Sequence, residues 1–452
     1  MKRLAAAAFS FFLFVPRGFA QETSIEDLKR KVSALQEEVA RLKATGSDAA
    51  GLKELERRID LLAAEMESSR TGGATDAEAP LKGEPGLGPA ASKVYRKAKG
   101  VSIGGYGEAL YQNFSSKDQE GDPSHLDDRL DLLRLVVYTG YKFSDKILFN
   151  SEIEYEHATT GEGDEERGEV SVEQGYLDVR PWKSVGFRTG MVVVPVGFIN
   201  ELHEPPIFLG SQRPVVEQTI IPTTWHEVGV GAFGESSLFQ WRGYAVAGLR
   251  AAGFTAEGIK EGRQQGSQSL ANDIALVGRL DLVRVPGLLV GASVFTGNSG
   301  QGAATDAGEI HGRVTLFDLH GEYEHRGLRA RVLYVRSTID DAALINAANG
   351  LHGEESVGSR QFGFYAEAAY DLMSRKGGPW AVIPFVRHER LNPQDRVPAG
   401  FQSDPSLDQT IWTAGVSVKP LTGVAFKADY QWLSNKARTG TNQLNLAVGF
   451  LF

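Results

Sequence analysis

Short segments of alternating apolar and polar residues follow one another from residue 101 to residue 452. In one of them Phe362, Phe364 and Ala366 alternate with Gln361 and Tyr365. Successive side chains of a strand point to opposite faces, so this period of two predicts strands with one apolar and one polar face. The predicted strands span 101–114, 130–143, 146–157, 170–181, 185–195, 225–234, 239–249, 272–283, 288–297, 311–322, 328–337, 359–373, 379–389, 410–419, 423–433 and 441–452.

The connections between these segments alternate in length. Tight turns such as Ser144-Asp145 and 182–184 alternate with long loops such as 158–169 and 196–224. All long loops therefore fall at one end of the sheet, as in barrels that cross a bacterial outer membrane. The sequence predicts an all-β fold, a sixteen-stranded antiparallel transmembrane β-barrel with an N-terminal helical coiled-coil arm.

Composition excludes several classes of protein. The chain has no cysteine, which excludes disulfide scaffolds, thiolate metal sites and cysteine nucleophiles. Its formal net charge of −9 argues against a nucleic-acid partner, which needs a basic face. After the first fifteen residues no apolar run is long enough for a transmembrane helix.

The first twenty residues have the order of a secretory signal peptide. Lys2 and Arg3 precede an apolar stretch, and Gly18-Phe19-Ala20 supplies small residues at the cleavage positions. A short buried helix is the alternative. We therefore expect an exported protein in the outer membrane of a Gram-negative cell, with its N-terminal arm in the periplasm.

Two further segments separate the signal peptide from the predicted barrel. Residues 21–66 carry apolar residues at heptad spacing, beginning with Ile25, Leu28 and Val32, which predicts a periplasmic coiled coil. One amphipathic helix lying on the main domain is the alternative. Residues 67–99 are rich in Gly, Pro and charge and predict a flexible linker. The barrel domain is predicted over 100–452.

Several stretches carry a resemblance to a known family. They are 101–107 (Val-Ser-Ile-Gly-Gly-Tyr-Gly), 175–178 (Gly-Tyr-Leu-Asp), 188–190 (Arg-Thr-Gly) and 384–387 (Pro-Phe-Val-Arg), together with the heptad arm and the strand count. In these the chain resembles the phosphate-selective porin O/P family. The resemblance implies a water-filled porin for passive diffusion of small hydrophilic solutes, possibly anions such as phosphate. It also implies a homotrimer in contact with outer-membrane lipid and lipopolysaccharide, and a third long loop, 196–224, folded into the pore as its constriction. An ordered loop at the trimer contact or at the rim is the alternative for 196–224.

Charged residues on the polar faces and in loop 196–224 are the candidate pore-lining and constriction residues. The loop holds one cation against three acids, a balance that predicts weak anion preference at most. The alternative is that most of these charges form ion-pair ladders on a wet wall. The candidates are Arg134, Arg188, Arg213, Arg242, Arg329, Arg331, Arg387, Glu201, Glu204 and Glu217.

Two other functions stay open from the sequence alone. One is an outer-membrane barrel enzyme of phospholipase type, which would need a Ser-His pair on the lipid-facing side. The other is an exported soluble β-sheet protein that binds a ligand, such as a lectin-like module. The nine histidines show no metal-ligand spacing, and no nucleophile motif is present, so we expect no catalytic residue, metal or cofactor.

Overall fold

A computed structural model describes residues 83–160, 168–182, 184–376 and 378–452. The predicted signal peptide and coiled-coil segment lie outside these residues. Sixteen antiparallel strands close into one barrel, which confirms the predicted sixteen-stranded antiparallel β-barrel. They are β1 (Gly100–Phe114), β2 (Arg129–Ser144), β3 (Ile147–Glu156), β4 (Val170–Trp182), β5 (Val185–Val193), β6 (His226–Glu235), β7 (Phe239–Ala247), β8 (Ile274–Leu282), β9 (Leu288–Gly297), β10 (Val314–His325), β11 (Leu328–Ile339), β12 (Arg360–Tyr370), β13 (Ala381–Arg396), β14 (Gln409–Leu421), β15 (Val424–Asn435) and β16 (Gln443–Leu451).

The strand ends differ from the predicted ones by a few residues, most clearly at β13, which continues to Arg396. The long loops also contain structure that the alternation did not predict. They hold two short helices, α2 (Val215–Thr219) and α3 (Ala342–Asn349), and a small hairpin that pairs Ala304–Thr305 with Gly308–Glu309. A further helix, α1 (Lys93–Arg96), precedes the barrel.

The barrel closes between its first and last strands. Tyr106 pairs with Leu451 and Phe114 with Gln443, so β1 and β16 are in continuous antiparallel register. Glycines on β1 leave room for aromatic rings of β16. A Cβ atom at Gly107 would lie 2.5 Å from Cζ of Phe450, so a larger residue there would require the Phe450 ring to shift.

The two faces of the barrel wall differ in polarity, as the alternation predicts. Val230, Leu319 and Phe426 point outward and keep 55%, 55% and 53% of their surface exposed. Charged side chains such as Asp318 and Arg387 point inward and are buried. The wall therefore separates an apolar exterior from an interior rich in charge.

The long loops fill much of the interior with apolar side chains. Trp225 packs on Phe295 of β9 with ring centroids 4.5 Å apart. Phe254 and Ile259 from one loop and Ile345 from α3 belong to the same buried cluster. Burial of this surface holds the loops inside the barrel. Within the described ranges no helix is long and apolar enough to span a membrane.

Residues 83–97, which we call the strap, belong to the predicted linker yet lie packed against the inner wall. Leu87, Val94 and Tyr95 are buried. Tyr95 donates a hydrogen bond to Asp178 of β4 (2.5 Å), and Lys142 of β2 donates one to the Tyr95 carbonyl oxygen (2.9 Å). The Gly and Pro content of residues 83–97 predicts a linker. In the structure the same composition lets the strap approach the wall closely.

Candidate functional site

The candidate site is the barrel interior around one long loop, residues 194–225, which we call the inward loop. The ends of the loop meet, because the Val194 N–H donates to the Trp225 carbonyl oxygen at 2.9 Å. The Asn200 side chain reinforces this base by donating to the carbonyl oxygens of Val194 (2.6 Å) and Trp225 (3.0 Å). The loop is thus closed at its base.

Between its two ends the inward loop crosses the lumen to strands on the opposite wall. The Ser211 N–H donates to Asp429 of β15 at 2.5 Å, and Lys427 donates to the Gly210 carbonyl oxygen at 2.8 Å. The Val216 N–H donates to Glu389 of β13 at 3.1 Å. Inward-pointing charges of the wall therefore bind loop backbone.

Glu217 folds the loop upon itself. Its carboxylate accepts the N–H groups of Phe198 (2.9 Å) and Ile199 (2.7 Å) and the hydroxyl of Tyr365 on β12 (2.7 Å). Burial raises the pKa of Glu217, although these hydrogen bonds act in the opposite direction. Glu217 therefore links the first part of the inward loop, at Phe198 and Ile199, to Tyr365 of the barrel wall.

A network of charges on β7, β8 and β10 holds Glu201. Its carboxylate contacts Arg242 Nε at 2.7 Å and Arg279 Nη1 at 3.3 Å. Asp281 contacts the same two arginines, at 3.0 Å and 2.9 Å. Glu201 is thus one of two carboxylates that share a pair of guanidinium groups.

His320 extends this network. Its Nε2 lies 2.7 Å from Asp281 and its Nδ1 lies 2.5 Å from Asp318. A carboxylate oxygen thus lies within hydrogen-bond distance of each ring nitrogen of His320. Asp318 also accepts the Gly197 N–H at 3.1 Å, so the network reaches the inward loop at a second point.

Glu204 joins the inward loop to the strap. One of its oxygens accepts the N–H groups of Ala90 (2.9 Å) and Ala91 (3.0 Å), and the side chain is buried. Burial raises the pKa of Glu204 to about 7, against the effect of the two N–H donors. Neighbouring His203 contacts Glu152 of β3 at 3.0 Å. Although burial lowers the pKa of His203, the Glu152 carboxylate raises it above its usual value.

Most of the arginines predicted as pore-lining residues are ion-paired in the structure. Arg134 lies 3.6–3.7 Å from Glu108, Glu154 and Glu156. Three others also bind acids of their own wall. Arg188 pairs with Asp178, Arg331 pairs with Glu322, and Arg387 pairs with Glu389. Arg329 shares Glu322 with Arg331.

Arg213 makes no ion pair within the described residues. It donates to Thr224 Oγ1 at 3.1 Å and to the His203 carbonyl oxygen at 3.5 Å. Arg188 pairs with Asp178 of the wall, whereas Arg242 pairs with Glu201 of the inward loop and with Asp281 of the wall.

Sequence reasoning did not assign a role to His320 or to the strap. The spacing of Asp318 and His320, two residues apart on one strand face, could have indicated a contact between them. The hydrogen bonds from Ala90 and Ala91 are made by backbone N–H groups, so the residue types at these positions do not predict them. Among the described residues no group of three or more acidic or histidine side chains could hold a metal ion.

Two cavities lie at the short-turn end of the barrel. The larger, about 650 Å³, is lined by the strap and by Glu201, Arg242, Arg279 and Glu322. The smaller, about 250 Å³, is lined by Arg329, Arg331 and Lys419, among others. Pro89, Leu202 and Ile207 border both cavities, so the strap and the inward loop form their common wall.

No family model matches the chain. In structure the chain is similar to OmpT of Vibrio cholerae, an outer membrane protein, in a loop L8 deletion mutant (TM-score 0.48, 12% identity, 79% of this chain and 100% of that chain). It is also similar to the outer membrane channel DcaP of Acinetobacter baumannii (TM-score 0.47, 11% identity, 79% and 98%).

In sequence the chain is 38% identical over 375 residues to a protein of Aquifex aeolicus (strain VF5) described as an uncharacterized protein. The match covers 81% of this chain and 83% of that protein. Such identity over most of both chains shows common descent, and this chain belongs to the same family as the Aquifex aeolicus protein.

Proposed function

We propose that this protein is a channel of a Gram-negative outer membrane through which small hydrophilic solutes diffuse passively. The observation that carries the proposal is the wall of the closed sixteen-stranded barrel, which is apolar outside and charged inside. Lipid favours the first surface and water the second. A barrel of this strand number is too wide for its own side chains to fill.

The charge pattern supports weak rather than strong anion selectivity. Arg134, Arg331 and Arg387 are each neutralised by carboxylates of the wall. The inward loop contributes Arg213 against three acids. Fixed positive charge at a narrow zone is what selects anions, and paired charge does so weakly. The family resemblance implies phosphate selectivity. We propose instead only a weak preference for anions, phosphate among them.

The remaining parts of the proposal concern assembly. A homotrimer in contact with lipid and lipopolysaccharide fits the apolar outer wall. The N-terminal arm predicted over 21–66 would serve as a periplasmic tether or assembly element and not as part of the conduit.

Conductance across planar lipid bilayers tests the proposal. The purified protein is expected to give discrete current steps in KCl, whereas protein unfolded by boiling gives none. A salt gradient should give a reversal potential close to zero. Arg213→Ala should shift it modestly towards cation selectivity, while the matched control Arg438→Ala, with the arginine side chain 66% exposed, should not. A lack of current steps from folded protein would overturn the proposed function.

The lipid-facing wall has its own test. Leu319 lies near the middle of β10 and points outward, so Leu319→Arg would place a cation in the bilayer centre at a cost of about 2–4 kcal/mol. We expect less heat-modifiable folded protein in membranes and in lipid refolding, with Leu319→Val as the control. A soluble β-sheet protein would tolerate arginine at this exposed position, so wild-type folding of the arginine variant would favour that alternative.

A further inference from the structure

We propose that the strap is a gate at the short-turn end of the barrel, latched by Glu204 of the inward loop. This inference rests on the proposed channel function and adds a closing element to it.

The strap is held to the wall along its length. Glu84 pairs with Arg180 of β4 at 3.1 Å, and Asn150 of β3 donates to the Ala91 carbonyl oxygen at 3.0 Å. At its end the Tyr95 hydroxyl accepts from Arg188 of β5 at 3.0 Å. The strap thus covers the inner face of neighbouring strands on one side of the lumen.

On its other side the strap lies against the inward loop, where Glu204 accepts its backbone hydrogen bonds. Ala90 and Ala91 donate their N–H groups to Glu204, and Gly88 lies so close that a Cβ atom there would be 2.3 Å from Glu204 Cδ. Gly86 makes a similar approach to Glu201, whose Oε1 would be 2.5 Å away. Charge-assisted hydrogen bonds to backbone N–H groups are strong but local, so loss of one side chain can release them.

The residues on the two sides of Glu204 in the inward loop have different surroundings. On one side the flanking residues Pro89, Leu202 and Pro206 border the cavity of about 250 Å³ at the short-turn end. On the other side His203 contacts Glu152 of β3, and the buried charges Glu108, Arg134 and Glu154 lie on β1–β3.

Several of these buried polar atoms, among them Glu108 Oε1, Arg134 Nη1 and Glu154 Oε1, have no hydrogen-bond partner within the described residues. Buried groups of this kind need water or a polar solute. In the proposed gate, a solute that passes these polar groups meets the strap and Glu204.

The absence of cysteine from the sequence allows a direct test by cross-linking. A Cβ atom at Gly140 of β2 would lie 2.7 Å from Cβ of Val94. A disulfide needs about 3.8 Å between its Cβ atoms, so Val94→Cys with Gly140→Cys requires a shift of only about 1 Å. In the oxidised double variant this disulfide pins the strap to the wall.

In bilayers we expect the oxidised double variant to conduct far less than wild type, and a reductant to restore its current. Val94→Cys alone, treated with the same oxidant, is the matched control, and thiol titration verifies the bond. Glu204→Ala should have the opposite effect and raise the open fraction severalfold, whereas Glu120→Ala, at an exposed loop glutamate, should not.

The outcomes separate the two proposals. If wild type and the reduced variant carry no current, the channel function itself fails. If wild type conducts, but the verified cross-link leaves its current unchanged or Glu204→Ala leaves the open fraction unchanged, the channel stands and the gate is overturned.

Discussion

Replacing residues 198–222 by a short glycine-rich linker is expected to raise single-channel conductance severalfold. The inward loop occupies the lumen, where Ser211, Gly210 and Val216 bind the far wall. A linker can close the gap because the Val194 N–H and the Trp225 carbonyl oxygen are 2.9 Å apart. With the loop removed, water replaces protein across the middle of the barrel, and resistance falls as the conducting area grows.

The control is removal of the exposed hairpin around 304–309, which should leave conductance unchanged. Both variants are compared only after folded protein has been isolated by its gel migration, because the loop also contributes buried apolar surface. Wild-type conductance in the loop-shortened variant would mean that another segment limits the current, and that the loop is a packing element alone.

The second large effect concerns stability. Asp281→Ala removes the carboxylate that faces Arg242, Arg279 and His320. The two buried guanidinium groups of Arg242 and Arg279 then share fewer acids, and leaving a buried charge uncompensated costs about 3–5 kcal/mol. We expect a much lower denaturant midpoint for the loss of the folded gel band.

Asp281→Asn tests whether charge or shape matters. It keeps the side-chain volume and one acceptor oxygen, and should lie between wild type and the alanine variant. Asp145→Ala, in an exposed turn, is the control and should not move the midpoint. Equal midpoints for wild type and Asp281→Ala would show that solvent already compensates these cations.

Alternation predicts the wall because it is a local property of each strand. Phe362 and Phe364 point outward, and Gln361 and Tyr365 point inward, as the period of two requires. It also places Asp281 and Arg331 on the inner face. What alternation cannot predict is the partner of each charge, because several acids lie within reach of each arginine once the sheet curves into a barrel.

The route of the inward loop was predicted only through the family resemblance. Ser211 and Asp429 are 218 residues apart in the chain, and no local pattern connects them. The position of the strap could not be predicted from a local sequence pattern either. The composition of 83–97 favours a linker, yet the contacts of Ala90 and Ala91 are made by backbone N–H groups that every residue except proline possesses.

The seam between β1 and β16 has a consequence for the order in which the molecule assembles. Tyr106 and Leu451 are neighbours in the sheet but lie at opposite ends of the barrel sequence. Until β16 has been synthesised, β1 and β15 each present a row of unpaired N–H and carbonyl groups, the kind of edge that recruits other chains. Contacts of such sequence separation also form slowly. Both edges therefore stay open to other strands until β1 and β16 meet.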